Sequence, residues 1–126
     1  MKDQWDAVAA FMEAGGQTVG QEIDHDRCQY FIRTDAEVME TCIAILDDND
    51  VEIADGYADV IYAAMTGLLN LVGRDKAERI FQAVVDANTT KIDGSLGPVR
   101  RDENGKILKP AGFVPPNEKI KKILEG

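Results

Sequence analysis

The segment formed by residues 51–72 constrains the fold more than any other part of the sequence. Asn49 or Asp50 can cap its start, and Gly73 stands where a left-handed residue favours the end of a helix. A helix of this length extends about 33 Å. Apolar residues occur around much of its circumference, at Ile53, Tyr57, Val60, Ile61, Ala64, Leu68 and Leu71. We therefore expect a central helix that its neighbours contact on several sides.

Three further segments have the apolar spacing of amphipathic helices. The first follows Asp3, a good N-cap, and stops at Gly15-Gly16; its apolar face carries Trp5, Val8, Ala9 and Met12. The second covers about residues 26–47, and its apolar positions include Phe31, Val38, Cys42, Ile45 and Leu46. The last begins at the capping-box-like Asp75-x-x-Glu78 and continues to Asn88. Four helices in one chain predict an all-α fold.

Helical signals cease beyond residue 91. Residues 92–117 contain all four prolines and four of the glycines, and short stretches of basic and apolar residues flank Asn104-Gly105. This arrangement predicts a short hairpin, and Asn117 is expected to cap a last helix over residues 118–124. The sequence thus predicts one domain over residues 1–126, with a helical core at about 3–91 and a hairpin with a basic tail at 92–126.

The charge of the chain limits its partners. The chain holds 14 Lys and Arg against 23 Asp and Glu, a net charge of -9, which repels the phosphate backbone of a nucleic acid. Residues 1–90 hold 6 basic and 18 acidic residues, whereas residues 91–126 hold 8 and 5. An acidic body with a basic tail suits a site where carboxylates hold metal ions and basic side chains meet an anionic substrate. A requirement for solubility alone can also account for this uneven charge distribution.

Several other classes of protein are excluded. His25 is the single histidine and is expected in a solvated connection, so the ligand sets of zinc hydrolases and di-iron bundles are absent. Cys28 and Cys42 would lie about 21 Å apart on one helix, too far for a disulfide. The apolar stretch 60–72 is too short to span a membrane, and no export signal is recognised. We expect a cytoplasmic protein with no membrane partner.

Two pairs of acids carry the functional prediction. Glu37 and Glu40 share one face of the second helix, and Glu52 and Asp55 share one face of the third. An antiparallel hairpin of these helices would bring the four carboxylates together, and Mg²⁺ prefers such oxygen ligands. The alternative is that the two acid pairs lie on solvated helix faces and bind no metal. Asp59 adds a third acid to the same face of the most apolar helix, which favours a magnesium site.

The same acids resemble a known family. The run Glu37-x-x-Glu40, followed by Glu52-x-x-Asp55 with Asp59 one turn on, looks like the all-α nucleoside triphosphate pyrophosphohydrolases. These include MazG-like proteins, dimeric dUTPases and phosphoribosyl-ATP pyrophosphohydrolases. The resemblance spans most of residues 28–117. Within the family, the chain is similar to small bacterial or phage MazG-like proteins. It implies a four-helix-bundle-like MazG-type fold that assembles as a homodimer or homotetramer.

The resemblance also implies a reaction, in which water attacks the α-phosphorus of a nucleoside triphosphate and releases the monophosphate and pyrophosphate. Mg²⁺, with Mn²⁺ as a substitute, would be held by Glu37, Glu40, Glu52, Asp55 and Asp59. Glu37 or Glu40 would serve as the base for the water, and Asp59 would be either a ligand or an outer-shell acid. The family usually has a further glutamate where Ala36 stands.

The motif Asn88-x-x-Lys91 belongs to the same resemblance. It implies that Lys91 contacts phosphate and that Asn88 bonds phosphate, sugar or base; a lysine that complements the helix dipole is the alternative for Lys91. Four further basic residues are either a solvated hairpin or a lid: Arg100, Arg101, Lys106 and Lys109. The rival interpretation of the whole chain is a non-catalytic, acidic helical protein that regulates or binds a partner.

Two features of the central helix lead to further expectations. It is apolar on more faces than one chain can cover, which predicts a homo-oligomer. Gly56 inside it costs about 1 kcal/mol relative to Ala, which a close helix contact or a crowded site would explain; sequence drift is the alternative. Four aromatic residues are candidates for stacking on a base but are also natural core residues, and we expect them in the core: Trp5, Phe31, Tyr57 and Tyr62.

Overall fold

The computed structural model describes residues 3–20 and 26–126, with side chains from residue 29 onward in the second range. These ranges contain five helices: α1 (Gln4–Ala14), α2 (Asp26–Leu46), α3 (Asp50–Val72), α4 (Arg74–Thr89) and α5 (Asn117–Glu125). The all-α prediction is confirmed, whereas His25 lies outside the described residues. None of the described helices is long and apolar enough to cross a membrane.

The first compact unit ends at Ala77 and has α3 at its centre. Both α1 and α2 contact α3, as the apolar circumference of α3 predicts. Met12 on α1 and Leu69 on α3 are the largest fully buried side chains of the described residues. The start of α1 is fixed by Asp3, whose Oδ1 accepts a hydrogen bond from the Asp6 backbone N–H at 2.8 Å. The predicted N-cap is therefore confirmed.

A tight turn joins α2 to α3. Asp48 lies in the left-handed region with a φ of 52°, its N–H donates to Ile45 O, and the Asn49 N–H donates to Ala44 O. This pair of hydrogen bonds ends α2 in a Schellman motif. Asn49 then caps α3, because its Oδ1 accepts a hydrogen bond from the Glu52 N–H at 3.2 Å. The short connection makes α2 and α3 an antiparallel hairpin.

The closest approach in this hairpin is at Gly56. A Cβ added to Gly56 would lie 2.3 Å from Thr41 Oγ1 and 3.0 Å from both Thr41 Cβ and Cγ2. Thr41 is buried, and its hydroxyl donates to the Glu37 carbonyl oxygen at 2.7 Å. The close helix contact expected for Gly56 is confirmed, and it sets the register between the two helices.

The face of α2 that the structure buries is not the one predicted from the sequence. Tyr30, Thr41 and Ala44 are buried, whereas the apolar positions recognised in the sequence are exposed: Phe31, Val38, Cys42, Ile45 and Leu46. At Thr41 the buried side chain is small, which allows the helices to approach closely at Gly56. The core prediction is likewise wrong for Phe31, Tyr57 and Tyr62, which are 74%, 61% and 40% exposed. Trp5 is half-buried.

The second compact unit, Glu78–Gly126, contains most of α4, the tail and α5. The predicted hairpin is reduced to a turn with one antiparallel bridge, Arg101 to Ile107, and the described residues contain no strand. So short a two-stranded ribbon is only marginally stable. The predicted cap at Asn117 is also wrong, because Asn117 is already helical and Pro116 precedes it without a side-chain hydrogen bond. The division between the units falls inside α4, and the single-domain assignment stays a prediction.

Candidate functional site

Four carboxylates on the two helices of the α2–α3 hairpin lie near enough to affect one another's ionisation, and we call them the acid cluster: Glu37, Glu40, Asp55 and Asp59. Partial desolvation raises the pKa of the Glu37 carboxyl, with further contributions from the charge and hydrogen bond of Glu40 and from the charges of Asp59 and Asp55. Desolvation also raises the pKa of Asp59, together with the charge and hydrogen bond of Asp55 and the charge of Glu40. The four groups therefore repel one another from opposing helices.

The register of the hairpin explains which acids meet. Because α2 and α3 run antiparallel and touch at Thr41 and Gly56, Glu40 lies beside the turn of α3 that carries Asp55 and Asp59. Glu52 lies one turn nearer the start of α3 and is exposed. Its charge is not among the causes that raise the pKa of Glu37 or Asp59. The structure thus groups four of the five predicted acids and leaves Glu52 at the edge.

The acid cluster has the chemistry of a divalent-cation site. Among the described residues, no three His, Cys, Asp or Glu side chains stand close enough to hold an ion as they are. The donors nevertheless fit Mg²⁺ in kind, since carboxylate oxygens are its usual protein ligands. A cation among these carboxylates would lower their pKa values instead of raising them, because it would stabilise the charged form of each group.

Asn88 and Lys91 lie in the second compact unit, at the end of α4. Asn88 is exposed and Lys91 is half-buried, and the Lys91 N–H donates to the Asn88 carbonyl oxygen at 3.1 Å. Both residues line a pocket of about 420 Å³. The other lining residues of this pocket are Val85, Thr89, Ile92 and Ile107.

The tail adds basic residues to the surroundings of Lys91. A second pocket, of about 460 Å³, is lined by Lys91, Arg100, Lys106, Ile107, Leu108 and Lys109. The Phe113 ring holds two of these cations, with the Lys91 and Lys109 Nζ atoms 5.2 and 5.5 Å from its centroid. Phe113 is not among the site residues that the sequence predicts. The signal that could have found it is one aromatic residue within the Gly- and Pro-rich basic tail.

Comparison with the models of known protein families and with curated proteins found no match for this chain. The fold and the site themselves define an all-helical protein with a cluster of carboxylates on an antiparallel helical hairpin. Membership of the pyrophosphohydrolase family stays a prediction that rests on the pattern of acids.

Proposed function

We propose that the protein is a Mg²⁺-dependent nucleotide pyrophosphohydrolase, which hydrolyses a (d)NTP or related nucleotide between the α- and β-phosphates. The observation that supports this proposal most strongly is the acid cluster, in which carboxylates of α2 face carboxylates of α3. Glu37 and Asp59 have raised pKa values. A helical hairpin gains no stability from such repulsion, so a functional role gives the better account of it.

In the proposed reaction, a water oxygen forms a bond to the α-phosphorus and the bond to the bridging oxygen breaks. The electron pair leaves with pyrophosphate, and Glu37 or Glu40 accepts the proton of the water. Bound Mg²⁺ would neutralise phosphate charge and lower the pKa of the water. Asp55 and Asp59 would help to hold the ion, and Glu52 would join them as the outermost carboxylate.

The proposed substrate contacts are Asn88 and Lys91. Lys91 would meet the phosphates as a point charge, and the Asn88 amide would bond phosphate, sugar or base. The packing of the Lys91 side chain over Phe113 favours a positioned cation over a lysine that only complements the helix dipole.

We further propose that the chain works as a homodimer or homotetramer with a MazG-type, four-helix-bundle-like arrangement. The support is the large exposed apolar surface of the α2–α3 hairpin, where Phe31, Met39 and Ile61 are 74%, 62% and 61% exposed. Monomeric proteins rarely leave so many neighbouring apolar side chains in water. Sedimentation should detect an assembly at micromolar concentration. A stable monomer with a normal unfolding transition would contradict this part of the proposal.

The experiment for the catalytic proposal is pyrophosphate release from a panel of nucleotides, with and without Mg²⁺. Asp55→Asn should abolish release, because the amide keeps the shape of the acid without its charge. Asp47→Asn is the matched control, since Asp47 is an exposed acid of the same hairpin outside the cluster. Equal activity in wild type and Asp55→Asn would remove the catalytic assignment. An inactive wild type across the panel would favour the non-catalytic, partner-binding interpretation.

A further inference from the structure

A cationic pocket in the unit Glu78–Gly126 is the feature that the proposed reaction leaves least explained. Four basic side chains line it, and no acidic side chain does: Lys91, Arg100, Lys106 and Lys109. None of the four forms an ion pair within the part of the chain that the structure describes. Four positive side chains around one space repel one another unless an anion lies between them.

The backbone of the tail holds two of these cations on a defined turn. Asp102 Oδ1 accepts hydrogen bonds from the Asn104 N–H at 2.8 Å and from the Lys106 N–H at 2.9 Å. The Leu108 N–H donates to the Arg100 carbonyl oxygen at 2.8 Å, across the base of the same turn. The positions of Arg100 and Lys106 therefore follow from a hydrogen-bonded turn and not from a free chain.

Phe113 fixes the other two cations. The ammonium groups of Lys91 and Lys109 both lie over its ring, within the distance of a favourable cation–π contact. A single ring that contacts two lysines restricts them before a ligand binds, so less side-chain entropy is lost on binding. Phe113 is thus a positioning residue for this pocket.

We infer that this cationic pocket binds an oligophosphate, either a free di- or triphosphate or the phosphate chain of a nucleotide. Its volume of about 460 Å³ is that of a small-molecule site. A polynucleotide is disfavoured as the ligand, because the chain as a whole carries a net charge of -9. The inference deepens the proposed function, on which the nucleotide form of the ligand rests, by extending phosphate contact from Lys91 to the tail.

Isothermal titration with tripolyphosphate in EDTA tests the pocket without any divalent cation. Wild-type protein should bind, with an affinity that falls as salt is raised. Lys106→Gln and Lys109→Gln should each weaken binding about fivefold, which is the upper range for one partly exposed charge pair. Lys121→Gln removes the same charge from an exposed site on α5 outside the pocket and should leave the affinity unchanged.

The role of the ring has its own pair of variants. Phe113→Leu keeps apolar bulk but removes the π face and should weaken tripolyphosphate binding, whereas Phe113→Tyr keeps that face and should bind as wild type does. Circular dichroism of each variant establishes that its helices are intact. If Phe113→Leu binds as wild type does, the positioning role of Phe113 is overturned.

A comparison of ligands separates the two sources of the phosphate. Tighter binding of a nucleoside triphosphate than of tripolyphosphate identifies the nucleotide, and equal binding identifies the phosphate chain alone. Failure to bind tripolyphosphate, or equal affinities in the Lys106, Lys109 and Lys121 variants, overturns the inference. Asp55→Asn should bind tripolyphosphate normally in EDTA, so a failure of the proposed catalysis leaves this result unaffected.

Discussion

Gly56→Ala tests whether the α2–α3 contact positions the acid cluster. The new methyl group would lie 2.3 Å from Thr41 Oγ1, and rotation of Thr41 cannot relieve the contact of 3.0 Å with its Cβ. Alanine gains about 1 kcal/mol over glycine in helix propensity, whereas overpacking a well-packed contact costs about 1–3 kcal/mol. We therefore expect Gly56→Ala to lower the free energy of unfolding by about 1 kcal/mol and to move the helices apart.

Gly67→Ala is the matched control on the same helix. A Cβ there would lie 3.5 Å from Tyr30 Cβ, which is an ordinary contact, so only the propensity gain remains. Urea unfolding followed by circular dichroism should show Gly67→Ala more stable than wild type by about 0.5–1 kcal/mol. Adding Thr41→Ala to Gly56→Ala removes the hydroxyl and methyl groups and should restore part of the loss. Equal stability of the two glycine variants would refute the close-contact argument.

Three further predictions concern the same hairpin. Asn49→Ala should lower the free energy of unfolding by about 1 kcal/mol through loss of the α3 cap, measured by urea unfolding. The raised pKa values of Glu37 and Asp59 mean that the folded state holds their protons more tightly than the unfolded chain. Metal-free stability should therefore fall as the pH rises from about 4 through these raised values, and Glu37→Gln should flatten this fall in urea midpoints recorded across pH. Millimolar Mg²⁺ should raise the melting temperature and EDTA should lower it, and superimposed melting curves would contradict a cation site.

The boundaries of the helices could be predicted because local chemistry sets them. Asp3 and Asn49 accept hydrogen bonds at the starts of α1 and α3, and Gly73 ends α3 with a φ of 84°. Each of these signals lies within a few residues of the boundary it determines. The first residue of α5 is harder to predict from the sequence. Both Pro116 and Asn117 are residue types that are compatible with a helix start.

Burial could not be predicted in the same way. Periodicity identified the apolar positions of α2, yet the side chains that are buried on α2 are Tyr30, Thr41 and Ala44. At Thr41 the reason is the close approach to Gly56, which leaves room only for a small side chain. Where an apolar helix face has no partner within its own chain, the apolar periodicity indicates that the face is covered but does not identify the partner that covers it.

The candidate site was predictable in part. Spacing placed Glu37 with Glu40 and Asp55 with Asp59 on single helix faces, and the short turn brought the two faces together. The position of Glu52 at the edge of the acid cluster depends on the register at Thr41, which the sequence does not encode locally. The cationic pocket joins Lys91 to residues up to 18 positions away through the fold of the tail, so spacing alone does not reveal it.

The most direct test of the central claim is a titration of Mn²⁺ by the protein, followed by the electron paramagnetic resonance signal of the free ion. The claim is that the acid cluster holds a divalent cation. Wild type and Asp47→Asn should bind Mn²⁺ saturably and with equal affinity, and Asp55→Asn should bind about tenfold more weakly or not at all. Equal binding by wild type and Asp55→Asn, or no binding by wild type, would contradict the claim.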